Sequence, residues 1–346
     1  MTVGRDYFVY VACLAGAQID VYRGTADAQL SHVQSVPLSG KGLPLAPSPD
    51  RRFLYASVIG EVDGVEDPRY DTFRIDATTG ELTHIETVKA PARMAHIFVE
   101  RSGRFLLGAS FPGSVIASHS LGPRGVPQEM PSDLRPTPRK AHQIMTDLSN
   151  RFAYVPNLGA DLVMQLRFDE RSGRFADNQP PELFFGESSG PRHFAFHPGG
   201  RWAYLLNELD GSLVAHRLDP ATGALEAMQQ ESALVDGFDA GEPWAAQIHV
   251  TPNGRFLYAS ERRASTLAGW RIDPRTGRLS DRKVIPCEKT PRGFDIDPAG
   301  RFLVLGGMGE NKVAVYAIDP DSGALDRRFE IACGAQPNWV EVIDLP

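Results

Sequence analysis

The chain has 346 residues, of which 42% are hydrophobic, and a formal net charge of −7. This composition is typical of a globular protein, and the negative charge argues against nucleic acid or an anionic membrane as a partner. Three scattered cysteines without a Cys-x-x-Cys pair indicate neither a disulfide framework nor a structural zinc site. No stretch has the length of a membrane span.

An apolar stretch near the N-terminus, residues 7–17, has the length of a signal-peptide core. Only Arg5 is basic ahead of it, and its first half, YFVYVA, resembles later strand-like segments such as RFLYAS and RFAYVP. We therefore interpret the stretch as a β-strand and expect a cytoplasmic protein.

One phrase, in which an arginine precedes an aromatic residue and a run of strand formers, occurs six times. The copies are SPDRRFLYA at 48–56, ERSGRFLLG at 100–108, DLSNRFAYV at 147–155, HPGGRWAYL at 197–205, TPNGRFLYA at 251–259 and DPAGRFLVL at 298–306. The arginine recurs at intervals of 46 to 54 residues. A strand-rich repeat of this length predicts a β-propeller in which each repeat is one four-stranded blade.

The repeat at 190–229 shows how a blade is built. An alternating run at 192–197 predicts the inner strand, and the turn PGG leads to a second strand at 202–208. LVAHRL at 213–218 predicts the third strand, and the turn DPATGAL leads to the outer one. Turns of the same kind are DATTGEL at 76–82, DERSGRF at 169–175, DPRTGRL at 273–279 and DPDSGAL at 319–325. The aromatic residue of each GRF or GRW phrase is predicted to pack between blades.

The chain ends supply a seventh blade. Residues 334–342 resemble an inner strand with nothing after it, and residues 7–12 resemble a second strand with no inner strand before it. Joining them closes the ring and removes exposed sheet edges. We predict an all-β, seven-bladed propeller that forms a single domain over residues 1–346.

Charged residues break the apolar pattern at two positions of the repeat. Both positions are eight residues from the residue before the repeat arginine, one upstream and one downstream. Antiparallel pairing therefore puts both at the same end of a blade, around the mouth of the central channel. The residues concerned, from the third to the sixth blade, are His142, Arg192, Arg292, Glu208 and Arg262.

Their chemistry predicts a site for a small anionic molecule. Three guanidiniums at one mouth repel each other unless an anion or Glu208 compensates them, and guanidinium forks suit carboxylate or phosphate. A histidine and a glutamate beside such an anion are natural acid–base groups. Adjacent positions offer His193, Asn207 and Gln247 as supporting or substrate-binding residues, whereas His249 is expected in the core. Neither a cofactor nor a metal is predicted.

Four motifs resemble the lactonase family of seven-bladed propellers: GPRH at 190–193, NEL at 207–209, WAAQIHVTPNGRFLYASER at 244–262 and TPRGF at 290–294. This family includes bacterial propeller-type 6-phosphogluconolactonase and fungal 3-carboxy-cis,cis-muconate lactonizing enzyme. The resemblance covers residues 7–342 and implies metal-free catalysis by His142, Arg192, Glu208 and Arg262. Relatives commonly carry an acidic residue where this chain has Gln247.

The resemblance implies hydrolysis of an anionic sugar lactone, 6-phosphogluconolactone or a related aldonolactone. Arg192 and Arg262 would stabilise the oxyanion, Arg292 would complete the anion pocket, and His142 and Glu208 would share the proton transfers in either order. Two alternatives stay open: a lactonizing enzyme acting on a muconate-like dicarboxylate, and a non-catalytic interaction scaffold. The oligomeric state is not indicated.

Overall fold

The computed structural model describes residues 6–345. Within this range 28 strands form seven antiparallel sheets of four strands each. Inner strands of successive sheets contact each other around a central channel, so the predicted all-β, seven-bladed propeller is confirmed. The described residues include no helix that is long and apolar enough to cross a membrane.

Six blades follow one another along the chain, each built from the channel outwards. The first three consist of β4 (Lys41–Pro47), β5 (Phe53–Val62), β6 (Val65–Ile75) and β7 (Leu82–Lys89); β8 (His96–Val99), β9 (Phe105–Ser110), β10 (Val115–Ser120) and β11 (Asp133–Pro136); and β12 (Met145–Thr146), β13 (Phe152–Asn157), β14 (Leu162–Asp169) and β15 (Arg174–Phe184).

The fourth to sixth blades have the same order. They consist of β16 (Pro191–Phe196), β17 (Trp202–Asn207), β18 (Ser212–Leu218) and β19 (Leu225–Ser232); β20 (Ala245–Val250), β21 (Phe256–Glu261), β22 (Thr266–Ile272) and β23 (Leu279–Pro286); and β24 (Pro291–Ile296), β25 (Phe302–Gly307), β26 (Lys312–Ile318) and β27 (Leu325–Ala332).

Both chain ends contribute to the seventh blade, as predicted. Its inner strand is β28 (Pro337–Ile343), which pairs with β1 (Tyr7–Cys13) in the register Phe8↔Ile343 and Val11↔Val340. The remaining strands are β2 (Gln18–Gly24) and β3 (Leu30–Pro37). Residues 7–13 are thus a buried strand of the ring.

The two repeated phrases of the sequence meet across the blade boundaries. Gly223, in the turn between β18 and β19, has φ +71°, and a Cβ there would lie 2.3 Å from the ring of Phe152 in the preceding blade. The same contact joins Gly277 to Trp202, where the added Cβ would lie 2.4 Å from the indole. The repeat aromatics are therefore inter-blade packing residues, as the sequence predicts.

A tyrosine hydroxyl strengthens the same boundary. Tyr204, two residues after Trp202, donates a hydrogen bond to the carbonyl of Gly277 in the next blade at 2.9 Å. Equivalent bonds run from Tyr10 to Gly80, Tyr55 to Gly125, Tyr154 to Gly223 and Tyr258 to Gly323. Each bond holds a turn glycine against the aromatic residue that it packs on, which explains why tyrosine recurs at this position.

Tyr204→Phe should lower the free energy of unfolding by about 1 kcal/mol, because it leaves the buried Gly277 carbonyl without its tyrosine donor. Tyr7→Phe is the matched control, since within residues 6–345 the buried Tyr7 hydroxyl has no hydrogen-bond partner. Thermal or urea unfolding measures the free energy of unfolding of both variants. Equal stability of the two variants would contradict a role for these bonds.

Candidate active site

β-Bulges lie at the channel mouth, where two of the predicted arginines stand. In β16 the pairing passes from Pro191↔Asn207 to His193↔Leu206, so Arg192 has no partner in the ladder. In β24 the same irregularity falls at Arg292. Bulges redirect side chains, and here they place a guanidinium at the channel end of each strand. Without the bulge, the register of Phe196↔Ala203 and His193↔Leu206 would set Arg192 opposite Asn207, one residue before Glu208.

Glu208 nevertheless meets Arg192, because both lie at the same end of the fourth blade. The Arg192 Nε donates to Glu208 Oε2 at 2.6 Å, and the Arg262 Nη2 donates to the same oxygen at 2.9 Å. The side chains of Arg192 and Arg262 are only 1% and 3% exposed. One carboxylate oxygen thus holds two buried guanidiniums from neighbouring blades.

Backbone carbonyls and an aromatic ring complete the setting of Arg262. Its Nε donates to the carbonyl of Trp244 and its Nη2 to the carbonyl of Ala245, both at 3.0 Å. Its guanidinium carbon lies 3.9 Å from the centre of the Trp244 ring, a cation–π distance. Arg192 in turn donates to the carbonyl of Ala246. These contacts fix both guanidiniums before any substrate arrives.

Arg292 is the most exposed of the three arginines, since it is half-buried. Its Nε donates to the side chain of Asn338 on β28. Burial and the charge of Arg192 lower the pKa of Arg292 to about 10, and the Glu208 carboxylate opposes that shift. Three guanidiniums and one carboxylate therefore leave an excess of positive charge at the mouth.

The charge balance also keeps Glu208 ionised. Burial alone would raise the pKa of its carboxyl, but the guanidiniums of Arg192, Arg262 and Arg292 outweigh burial and hold it below the usual value. Glu208 is therefore a carboxylate at neutral pH and a weak proton acceptor.

Two buried histidines lie beside the arginines. The rings of His142 and His193 are 5.0 Å apart between centroids, in an edge-to-face contact. Burial, followed by the positive charge of Arg192, lowers the pKa of both well below the ordinary value of 6.5. Both imidazoles are therefore uncharged at neutral pH. The Nδ1 of His142 is buried without a hydrogen-bond partner in the described chain.

The other two predicted residues lie deeper. Gln247 accepts a hydrogen bond at 2.5 Å from the Nδ1 of His193, just below the arginines. Asn207 is 1% exposed and donates to the hydroxyl of Ser212 at 2.8 Å, beside the turn between β17 and β18. The structure thus brings six of the eight predicted residues together around the channel mouth, with Gln247 just below them and Asn207 behind them in the blade.

Below the mouth the channel contains a cavity of about 310 Å³. Its polar lining residues include His96, Gln247, His249 and Glu341. The expectation that His249 belongs to the core is wrong, because it faces this cavity and its side chain is 31% exposed. It lies two residues after Gln247 on β20, so strand alternation could have placed both on the channel face.

Two acids of the lower channel, Asp295 and Glu341, were not singled out from the sequence. Burial raises the pKa of Asp295 to about 7, and the charge of Asp297 adds to the shift. Burial and then the charge of Asp295 raise the pKa of Glu341 well above its usual value. Among residues 6–345 no group of three or more His, Cys, Asp or Glu is arranged to hold a metal ion.

Comparison with known proteins agrees with this architecture. The sequence profile of the family described as Lactonase, 7-bladed beta-propeller, matches residues 8–342. The chain belongs to this lactonase family. The expected family and the expectation of a lactonase-type enzyme are thereby confirmed, whereas the roles of the individual site residues stay predictions.

Relatives of this lactonase-family chain include two curated bacterial proteins named 6-phosphogluconolactonase. The one from Pectobacterium carotovorum subsp. carotovorum is 35% identical over 289 residues, 84% of each chain. The one from Klebsiella pneumoniae (strain 342) is 31% identical over 289 residues, again 84% of each chain. A solved structure, the periplasmic gluconolactonase of Pseudomonas aeruginosa, superimposes with a TM-score of 0.88 at 25% identity and covers 99% of this chain and all of its own.

The half-buried acids of the lower channel in this lactonase-family protein predict how its stability depends on pH. Unfolded carboxyls ionise near pH 4 to about 4.5, whereas Glu341 keeps its proton to higher pH when folded. A raised folded-state pKa contributes stability that is present at low pH and lost as the pH rises through that value. Glu341→Gln keeps an acceptor for the indole of Trp339 but cannot ionise. It should therefore remove the part of the stability loss at rising pH that comes from Glu341.

Thermal unfolding at pH 5 and pH 9 measures this effect. The melting temperature should fall less between the two pH values in Glu341→Gln than in the wild type. The exposed Glu226→Gln is the control and should follow the wild type. An unchanged pH dependence in Glu341→Gln would show that Glu341 does not carry the effect.

Proposed function

We propose that the protein hydrolyses a small anionic sugar lactone, 6-phosphogluconolactone or a closely related aldonolactone. The observation that carries the proposal is the channel mouth, where Glu208 aligns two guanidiniums next to the half-buried Arg292 and the uncharged His142. The bacterial relatives named 6-phosphogluconolactonase support the choice of substrate.

The charge of the mouth favours a substrate with about two negative charges. Arg192, Arg262 and Arg292 contribute three positive charges, and Glu208 cancels one. A phosphate monoester carries between one and a half and about two negative charges at neutral pH, which compensates the remainder. Arg292 is the most accessible guanidinium, so we assign it the anionic group of the substrate.

Of the buried pair Arg192 and Arg262, Arg262 would act on the lactone carbonyl. As water adds to the carbonyl carbon, negative charge develops on its oxygen, and donors that are already fixed stabilise it without reorganisation. Arg262, with Trp244 packed on its face, is positioned for this contact. Arg192 lies behind Glu208 and holds that carboxylate in place.

His142 is the better candidate for the proton acceptor, because Glu208 is ion-paired and weakly basic. In this mechanism His142 takes a proton from the attacking water. The tetrahedral intermediate then breaks its bond to the ring oxygen, and the imidazolium returns the proton to that oxygen. A bound anion compensates the guanidinium charges that depress the pKa of His142, so substrate binding itself makes His142 more basic.

The same electrostatics favours hydrolysis over the lactonizing alternative. Lactonization of a muconate-like dicarboxylate needs a protonated group that donates to carbon, whereas His142 is uncharged at neutral pH. A cytoplasmic location stays part of the proposal, although the similar Pseudomonas aeruginosa protein is described as periplasmic.

A lactone panel tests the proposal. Acid release should exceed the uncatalysed rate with 6-phosphogluconolactone. Arg292→Met should raise the KM for that lactone about tenfold or more, the cost of a lost hydrogen bond to a charged group, and should have little effect on uncharged gluconolactone. The control Arg263→Met removes an exposed arginine beside Trp244 and should leave both reactions unchanged.

Two outcomes would contradict the proposal. One is no acid release above background with any lactone. The other is loss of ultraviolet absorbance with a muconate-like dicarboxylate in the absence of lactone hydrolysis, which would indicate the lactonizing reaction.

A further inference from the structure

A line of polar side chains runs from the mouth down the channel wall. The Nδ1 of His193 lies 2.5 Å from the Oε1 of Gln247, and the Nε2 of Gln247 lies 2.7 Å from the Nε2 of His249. The Nδ1 of His249 lies 3.5 Å from the Oδ1 of Asp295. The four residues belong to β16, β20 and β24, the inner strands of three consecutive blades.

Asp295 lies at the lower end of this line. Its Oδ1 accepts the backbone N–H of Ile296 at 2.7 Å, and its Oδ2 accepts the backbone N–H of Val342 at 2.8 Å. Both oxygens therefore act as acceptors. The Nδ1 of His249 lies 3.5 Å from this Oδ1, which is a close polar contact and not a hydrogen bond.

The amide of Gln247 determines the direction of the hydrogen bonds in this line. Its NH₂ group faces the Nε2 of His249 and can only donate, so this Nε2 has a lone pair and His249 carries its hydrogen on Nδ1. The amide oxygen faces His193. Because this oxygen can only accept, the Nδ1 of His193 must carry a proton, and its Nε2 has none. One glutamine thus fixes the tautomers of two imidazoles that lie on opposite sides of it.

We propose that Gln247 is a positioning residue, which holds His193 as the uncharged Nδ1–H tautomer beside His142 and Arg192. The titratable and charged groups that face His193 are Arg192 on its own strand, His142 from the preceding blade and His96 from across the channel. Those that face His249 and Asp295 are His96, the buried carboxyl of Asp297 and the half-buried carboxyl of Glu341.

The consequence for catalysis rests on the proposed function. A carboxylate at position 247 would accept hydrogen bonds from both histidines and favour their charged forms. A charged His193 would add a positive charge in contact with His142 and make His142 a weaker proton acceptor. The amide of Gln247 avoids this charge while it still orients the ring of His193.

Nitrogen NMR of ¹⁵N-histidine-labelled protein at neutral pH tests the proposal, because the chemical shifts of Nδ1 and Nε2 show which nitrogen carries the proton. In the wild type, His193 and His249 should both be protonated on Nδ1 alone. In Gln247→Glu, His249 should gain a proton on Nε2 and His193 should become charged. Gln229→Glu, the same change on an outer strand, is the control and should leave both rings unchanged.

Kinetics supply the second measurement. Gln247→Glu should lower kcat for lactone hydrolysis at pH 7 roughly tenfold, the effect of about one unit in the pKa of His142. Its KM should change little, and the acidic limb of the pH–rate profile, which reports the pKa of His142, should move to lower pH. Gln247→Leu offers neither donor nor acceptor. In this variant the NMR spectrum should show His193 and His249 each as a mixture of the Nδ1–H and Nε2–H tautomers.

The outcomes separate this inference from the proposed function. A wild-type His193 that is protonated on Nε2, or a Gln247→Glu protein in which His249 gains no proton, would overturn the role of Gln247 even if lactones are hydrolysed. The expected tautomers together with no lactone hydrolysis would overturn the proposed function and leave the positioning of His193 standing.

Discussion

The site depends on one carboxylate oxygen that accepts from two arginines of neighbouring blades. Arg192 and Arg262 are almost entirely buried, and two guanidiniums side by side without a counter-charge are costly in a protein interior. Glu208 compensates them, and they keep it ionised against the effect of its own burial. The three side chains therefore hold each other in one arrangement, and the positive charge that remains is available to a ligand.

The propeller supplies the positions for this arrangement. Each inner strand ends at the channel mouth, and bulges at Arg192 and Arg292 redirect those side chains at the points where the ladder is interrupted. The ring is kept together by contacts such as those of Phe152 with Gly223 and of Trp202 with Gly277, in which a repeat aromatic packs on the turn glycine of the next blade. Stiffness between blades matters for function because the arginine–glutamate cluster spans two of them.

Much of this was predictable from the sequence, because the repeat sets a common frame. The frame predicted the seven blades, the closure by both chain ends and the gathering of His142, Glu208 and the arginines at one mouth. The bulges were not predictable, since the phrases around them keep the same spacing. Asp295 and Glu341 were missed because their importance comes from burial beside each other, which depends on how the sixth and seventh blades pack. His249 could have been placed correctly by alternation from Gln247.

The turnover of a folded Glu208→Gln protein tests the central claim most directly. Glutamine keeps the shape of the side chain but loses the charge that holds both guanidiniums. If these are misplaced by about an ångström, the rate of lactone hydrolysis should fall on the order of a hundredfold. Acid release at saturating lactone measures the rate, and circular dichroism confirms the fold. A folded variant that retains turnover within a few-fold of the wild type would contradict the account.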